Sequence, residues 1–227
     1  KTRSGLCLTS SGSYVSMTQY WTELAGLMAV FSVMIVVPGA DFALVIRQSV
    51  VHGRRAAMLA SVGIGCSLLF HISYTILGIG LIVSKSLLLF SLLKWAGAAY
   101  LIYLGIRAIR AQVMTMDVEA EGRETGELPA WKLFAMGFVT NALNPKPVLF
   151  FLSLFSLLVS PQTPAFIQAG YGLVMASALI VWFLGVSVVF TSRPVREKFL
   201  ATGRWFNRVT GAMFIGLGLR LALQQAK

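Results

Sequence analysis

The sequence predicts an all-α membrane protein with six transmembrane helices arranged as a 3+3 inverted repeat, the first and fourth helices broken. Three observations carry that prediction. Charged residues make up only 12% of the chain and hydrophobic residues 57%, whereas a soluble domain usually has about 25% charged residues. The apolar residues form long blocks rather than periodic stripes, and about 20 of them in a row let a helix cross about 30 Å of hydrocarbon. Prolines interrupt the first block of each set of three at corresponding places.

Residues 1–16 are polar and rich in Ser, Thr and Gly, and are expected to be a disordered N-terminal extension. The apolar run Leu6-Cys7-Leu8 is too short for a signal-peptide core of about 7–15 residues. Met17 opens a stretch that reads as a natural start. Cys7 and Cys66 are the only cysteines, and Cys66 lies inside an apolar block, which argues against a disulfide or a cysteine metal site.

The blocks run over residues 21–45, 56–83, 86–109, 131–159, 165–190 and 205–223. Pro38-Gly39 interrupts the first, and Asn144-Pro145-Lys146-Pro147 the fourth. None shows the polar–apolar alternation over about 10 residues that a barrel strand needs. Residues 17–111 thus form a first three-helix repeat and residues 131–227 a second. Between them, residues 112–130 hold Asp117, Glu119, Glu121, Glu124 and Glu127, an acidic solvated linker. Lys94 to Leu101 and Arg208 to Ile215 share a cation, a Gly-Ala pair and an aromatic at equal spacing, a weak repeat signal.

The net charge of +11 reports topology rather than nucleic-acid binding. Arg47, Arg54 and Arg55 lie between blocks one and two. Arg107, Arg110, Arg123 and Lys132 surround the linker, and Arg193, Arg196, Lys198, Arg204 and Arg208 lie between blocks five and six. The other connections offer Lys85, with Lys94 beyond it, or no charge. Alternate loops are therefore basic, the pattern of a single cytoplasmic face. With six spans, both termini face away from the cytoplasm.

Odd numbers of spans per half place the halves in opposite orientations, and inverted repeats with discontinuous helices recur in transporters. Proline removes an N–H and leaves a carbonyl unpaired, which hydrocarbon tolerates only where protein or a water-filled cavity supplies partners. The helix-break residues are Pro38 and Gly39 in one half, Pro145 and Pro147 in the other. Asp41 and Lys146 follow them closely. A charge inside the membrane costs at least about 2.5–3.5 kcal/mol on insertion scales and normally faces the bundle interior. Asn141 and Asn144 flank the second break, and Ser67, His71 and Thr75 form one polar stripe beside Tyr74. For His71, interhelical hydrogen bonding and proton relay both stay open.

Several stretches resemble one family. Pro38-Gly39-Ala40-Asp41-Phe42, followed by Arg47-Gln48-Ser49, resembles the first-helix signature of the LysE/RhtB amino-acid exporters. His52-Gly53-Arg54-Arg55-Ala56-Ala57 is similar to their first cytoplasmic loop, and the stretch from Gly97 to Gly105 to their third helix. Gly137-Phe138-Val139-Thr140-Asn141-Ala142-Leu143-Asn144-Pro145-Lys146 resembles the fourth-helix signature. Ala40 departs from it, standing where a second proline is usual. The resemblance runs from about Met17 to the end of the chain. It implies a bacterial inner-membrane exporter of amino acids, closest to the homoserine/threonine branch, driven by the proton gradient.

A zwitterionic cargo needs an acceptor for its ammonium and donors for its carboxylate. On this reading Asp41 binds the ammonium or carries the coupling proton, and Lys146 with half-helix N–H groups receives the carboxylate. Asn141, Asn144 and Thr140 orient it, with His71 as a further binding or coupling residue. The expected partners are amino acid, protons and the lipid bilayer, with no cofactor, metal or nucleic acid. A divalent-cation exporter would want more soft or acidic ligands than Asp41, His71 and Cys66. A thiol or aspartyl enzyme would want a second cysteine or acid in the membrane. A non-transport membrane subunit would leave the paired breaks without a purpose. The Gly-rich third and sixth helices suit either a homodimer or packing within the monomer.

Overall fold

The computed structural model describes residues 6–8, 14–85, 87–111, 128–190, 192, 194, 195, 198 and 202–223. The acidic linker, apart from its last three residues, lies outside them. Where the sequence suggests a disordered extension, β1 (Leu6–Leu8) and β2 (Tyr14–Ser16) pair antiparallel, Cys7 opposite Val15. Tyr and Val are residues with strong strand preference.

Among the described residues the rest is helical. Helix α1 (Met17–Val36) is followed by α2 (Ala40–Val51), α3 (Arg54–Lys85) and α4 (Leu87–Arg110). Then come α5 (Ala130–Ala142), α6 (Pro145–Leu158), α7 (Ala165–Val189) and α8 (Gly203–Leu223). Three are long and apolar enough to cross a bilayer by themselves: Met17–Val36, Arg54–Gly78 and Ala165–Val189. The first block is already 20 residues long before its break, because the helix starts at Met17 rather than Trp21. The fourth block is two helices of 13 and 14 residues. Each is about 20 Å long at about 1.5 Å per residue, short of the bilayer's about 30 Å.

Both breaks fall where proline requires them. Helix α1 ends two residues before Pro38, and α2 restarts from Gly39, whose extended backbone (φ −154°, ψ −166°) forms the N-cap. Helix α5 ends at Ala142, and α6 restarts at Pro145, with proline at the first helical position where its missing N–H is harmless. The α2–α3 turn closes on Gly53, at φ +86°, a left-handed conformation that glycine adopts without a Cβ penalty.

Lipid tails are as apolar as leucine, so close van der Waals packing, rather than the hydrophobic effect, holds helices together in a bilayer. Small residues provide it here. A Cβ on Gly137 of α5 would lie 1.9 Å from the Ala60 carbonyl oxygen of α3, and one on Gly63 would lie 2.1 Å from that of Phe134. The α4–α8 seam is built alike, with Gly105 and Gly211 each placing a Cβ position 2.6 Å from the other's carbonyl oxygen. Rising numbers on α4 meet falling numbers on α8, Gly105 facing Gly211 and Ala98 facing Gly218, so the two run antiparallel. These glycines are thus used within the chain. Aromatic rings fill the centre: Phe31 packs on Phe151 at 5.9 Å between centroids and Phe42 on Phe190 at 5.4 Å.

Substituting Gly137→Ala is expected to force α3 and α5 apart and destabilise the protein by about 1–3 kcal/mol, the usual cost of overpacking. Gly216→Ala, which meets nothing within 4 Å, should leave stability unchanged. Thermal midpoints of the detergent-solubilised variants check both.

Candidate functional site

The two breaks meet around a small cavity that residues from both of them line. Its polar lining comes from Asp41, Asn141, Asn144 and Lys146. Its apolar wall includes Phe31 and Met34 from α1, Leu68 from α3, Phe151 from α6 and Phe183 from α7. Four polar residues read from the sequence as a site, spread over two distant stretches, therefore border one space.

Each is placed by a helix end. Asp41 is the second residue after the Gly39 cap, in the first turn of α2, where the helix dipole favours a carboxylate. Lys146 holds the same place in α6, the second residue after the Asn144 cap. The Asn144 side-chain oxygen accepts the Lys146 backbone N–H at 3.0 Å, the usual N-cap bond. The Asn141 side-chain N–H donates to Asp41 Oδ2 at 2.8 Å, joining the two broken helices directly. Asp41 and Lys146 attract each other, yet among the described residues neither makes a direct ion pair. The second oxygen of Asp41 and the side-chain oxygen of Asn141 are buried with no hydrogen-bond donor among the described residues. Buried polar atoms are normally satisfied, so these two acceptors are available to a donor entering the cavity.

Gly39 and Pro147 also border the cavity. Pro38, Thr140 and His71 do not, and the side chain of Pro145 lies outside the described residues. His71 is fully buried. Its Nε2 lies 3.0 Å from the Asn141 carbonyl oxygen and its Nδ1 2.5 Å from the Tyr74 hydroxyl.

A second buried acid stands near the start of the first apolar block. Glu23 of α1 is 6% exposed. It accepts from the Thr163 hydroxyl at 2.9 and 3.0 Å, the Ser160 N–H at 3.1 Å, the Tyr171 hydroxyl at 3.1 Å and the Gln19 amide at 3.0 Å. These donors satisfy the carboxylate without a cation, and they tie α1 to the α6–α7 connection and to α7. They are scattered between residues 19 and 171, so no local motif announces them. Removing the acid by Glu23→Ala takes the acceptor from the Thr163 hydroxyl and the Ser160 N–H, while the Tyr171 hydroxyl keeps the Tyr20 carbonyl at 3.1 Å. A loss of about 1–3 kcal/mol is expected, read as a lower thermal midpoint, whereas exposed Thr22→Ala should change nothing.

A family model described as LysE type translocator matches residues 32–225. The threonine efflux protein of Escherichia coli (strain K12) is 28% identical over 188 residues, covering 83% of this chain and 91% of its own. The homoserine/homoserine lactone efflux protein of Salmonella typhimurium is 32% identical over 190 residues, 82% of this chain and 88% of its own. The uncharacterized membrane protein YrhP of Bacillus subtilis is 28% identical over 215 residues, 88% and 99% of the two chains. No solved structure matches significantly.

Proposed function

Because the chain belongs to the family of LysE type translocators, we propose that it exports threonine- or homoserine-like amino acids across the bacterial inner membrane in exchange for protons. The observation that carries this reading is the cavity between the two breaks. It offers the Asp41 carboxylate at one helix start, a free amide oxygen beside it from the end of α5, and the Lys146 ammonium at the other helix start. The backbone N–H groups expected there do not contribute, since Pro145 and Pro147 have none and that of Lys146 is bonded to Asn144. That is a complement to a zwitterion: ammonium to Asp41 and Asn141, carboxylate to the Lys146 side chain. The cargo side chain then rests on the Phe31, Phe151 and Phe183 wall. The threonine and homoserine efflux relatives support the cargo class.

Exchange follows from competition at Asp41. With cargo bound, the carboxylate pairs with the cargo ammonium. With cargo released, a proton replaces that ammonium and lets the empty site return without a bare charge, which hydrocarbon disfavours. Thr140 lies outside the cavity and acts only through the helix it shares with Asn141.

The sequence spacing of glycines supports a 3+3 inverted repeat. Gly63, Gly65 and Gly78 of α3 recur with identical spacing as Gly170, Gly172 and Gly185 of α7. Gly97 and Gly105 recur as Gly203 and Gly211. Asp41 and Lys146 occupy matching cap positions at the same shift along the chain, to within two residues. The contacts are reciprocal: a Cβ on Gly65 would strike Ile180 at 2.2 Å, and one on Gly172 would strike Ile72 at 2.9 Å. This register sets Gly211 against Gly105, rather than against the Gly97 that motif matching suggests. With the basic loops on the cytoplasmic side, both termini are periplasmic.

The two halves differ in one matched contact. Gly63 carries the backbone of α5, whereas its counterpart Gly170 has nothing within 4 Å, and α1 touches α7 lightly. Alternating access then consists of α1 closing on Gly170 while α5 leaves Gly63.

Two measurements test these statements. Asp41→Asn and Lys146→Ala should each abolish threonine and homoserine export from loaded cells, and parental export by both would overturn the site. Gly170→Val should slow export about tenfold, a barrier rise of about 1.4 kcal/mol, at unchanged abundance in the membrane. Gly185→Val, equally unobstructed on the same helix, should export at the parental rate.

A further inference from the structure

Proline at position 145 leaves a defined vacancy in the hydrogen bonding of the second break. In a continuous helix the N–H of residue 145 would donate to the carbonyl of Asn141, four residues earlier. Pro145 has no N–H, and inside a bilayer an unpaired carbonyl costs several kcal/mol. The Asn141 carbonyl receives the Asn144 N–H at 3.0 Å. The ring of His71, arriving from α3, supplies the second donor through Nε2 at 3.0 Å.

A carbonyl only accepts, so Nε2 carries the hydrogen. In the neutral ring Nδ1 is then an acceptor, and the Tyr74 hydroxyl donates to it. Tyr74 is itself held edge-on by Phe70, ring centroids 5.6 Å apart. Both ring nitrogens are therefore engaged, and the ring is fully buried and does not border the cavity.

We infer that His71 is a positioning residue: it replaces the N–H that Pro145 lacks and so fixes Asn141, whose side chain holds Asp41. Three consequences distinguish this from a proton relay. His71 needs one donor at Nε2 rather than a titrating ring. It acts on the cargo only through the Asn141–Asp41 bond. It has no counterpart at the first break, since the glycine register sets Ala178 of α7 opposite His71, and alanine donates nothing. The end of α5 that bears Asn141 is then a pinned pivot about which the Phe134–Phe138 turn can leave Gly63.

The transport arm of the test rests on the amino-acid export reading; a labelling arm does not. Glutamine places a side-chain N–H near the position of Nε2–H and does not titrate. In export assays His71→Ala should raise the threonine concentration for half-maximal rate about tenfold, the equivalent of about 1.4 kcal/mol. His71→Gln should restore it to within about threefold of the parental value, with the parental pH profile. A parental half-saturation in His71→Ala, or a flattened pH profile in His71→Gln, overturns the assignment.

The labelling arm uses Ala142→Cys in a chain freed of Cys7 and Cys66 and a membrane-permeant maleimide. Alkylation should be about fivefold faster with His71→Ala, as the last turn of α5 loosens by one hydrogen bond, and unchanged with His71→Gln. Equal rates in all three overturn the brace. Should His71→Ala be lost from the membrane, Tyr74→Phe takes its place, a smaller acceleration being expected and none overturning it. If the parental protein exports neither threonine nor homoserine, the export reading fails while the labelling result still decides the role of His71.

Discussion

The rest of the structure depends on the obligation of backbone N–H and C=O groups to pair where no water is present. A proline inside an apolar helix breaks that pairing and cannot be left exposed to lipid. This chain breaks a helix twice and turns the two free starts toward each other, so that what is a defect in one helix becomes a polar surface between two. Gly39 and Asn144 solve the same capping problem differently, the first by an extended backbone and the second by a side-chain bond to Lys146 N–H. The cavity with its four polar residues follows from that placement.

Packing fixes where the breaks sit. Because lipid supplies no hydrophobic drive between helices, contact at the backbone has to supply the adhesion. The glycines at α3–α5 and α4–α8 let carbonyls approach so closely that no Cβ would fit, and those at α3–α7 receive the side chains of Ile180 and Ile72. Helix α1 is different: it touches its neighbours lightly and is held at one end by the Glu23 network. The seams elsewhere are made by close packing at glycines, whereas α1 is tied to its neighbours through the donors gathered on one acid.

Much of this was legible in the sequence. The breaks, the charges behind them and the flanking asparagines are local patterns, and local patterns survive in one dimension. Whether distant residues converge is a matter of packing, and there the reading was partial. Asp41, Asn141, Asn144 and Lys146 border one cavity whereas Thr140 and His71 do not, because residues on a polar stripe can face a neighbouring helix as readily as a cavity. Glu23 stands at a block end in the sequence, and its network has no local signature since its donors come from several elements. The first span was placed too late because polar residues before Trp21 still form a helical turn.

Lys146 shows why the two breaks are not interchangeable. A helix start carries a partial positive charge of about half an electron, which suits Asp41 on α2 and opposes a cation on α6. A lysine there is stabilised only by negative charge brought to it, and among the described residues no carboxylate is in direct contact with it. Asp41 attracts it from across the same cavity but is already bonded to Asn141. The residue and the helix dipole therefore present the same sign to the cavity, reinforcing each other toward an incoming anion while raising the cost of the empty state. Asp41 reverses the argument, its helix start favouring the carboxylate and sparing it the need for a permanent cation. One end of the cavity thus holds its charge with the help of its helix start and the Asn141 bond, one carboxylate oxygen still unpaired, while the other end holds its charge against its helix start.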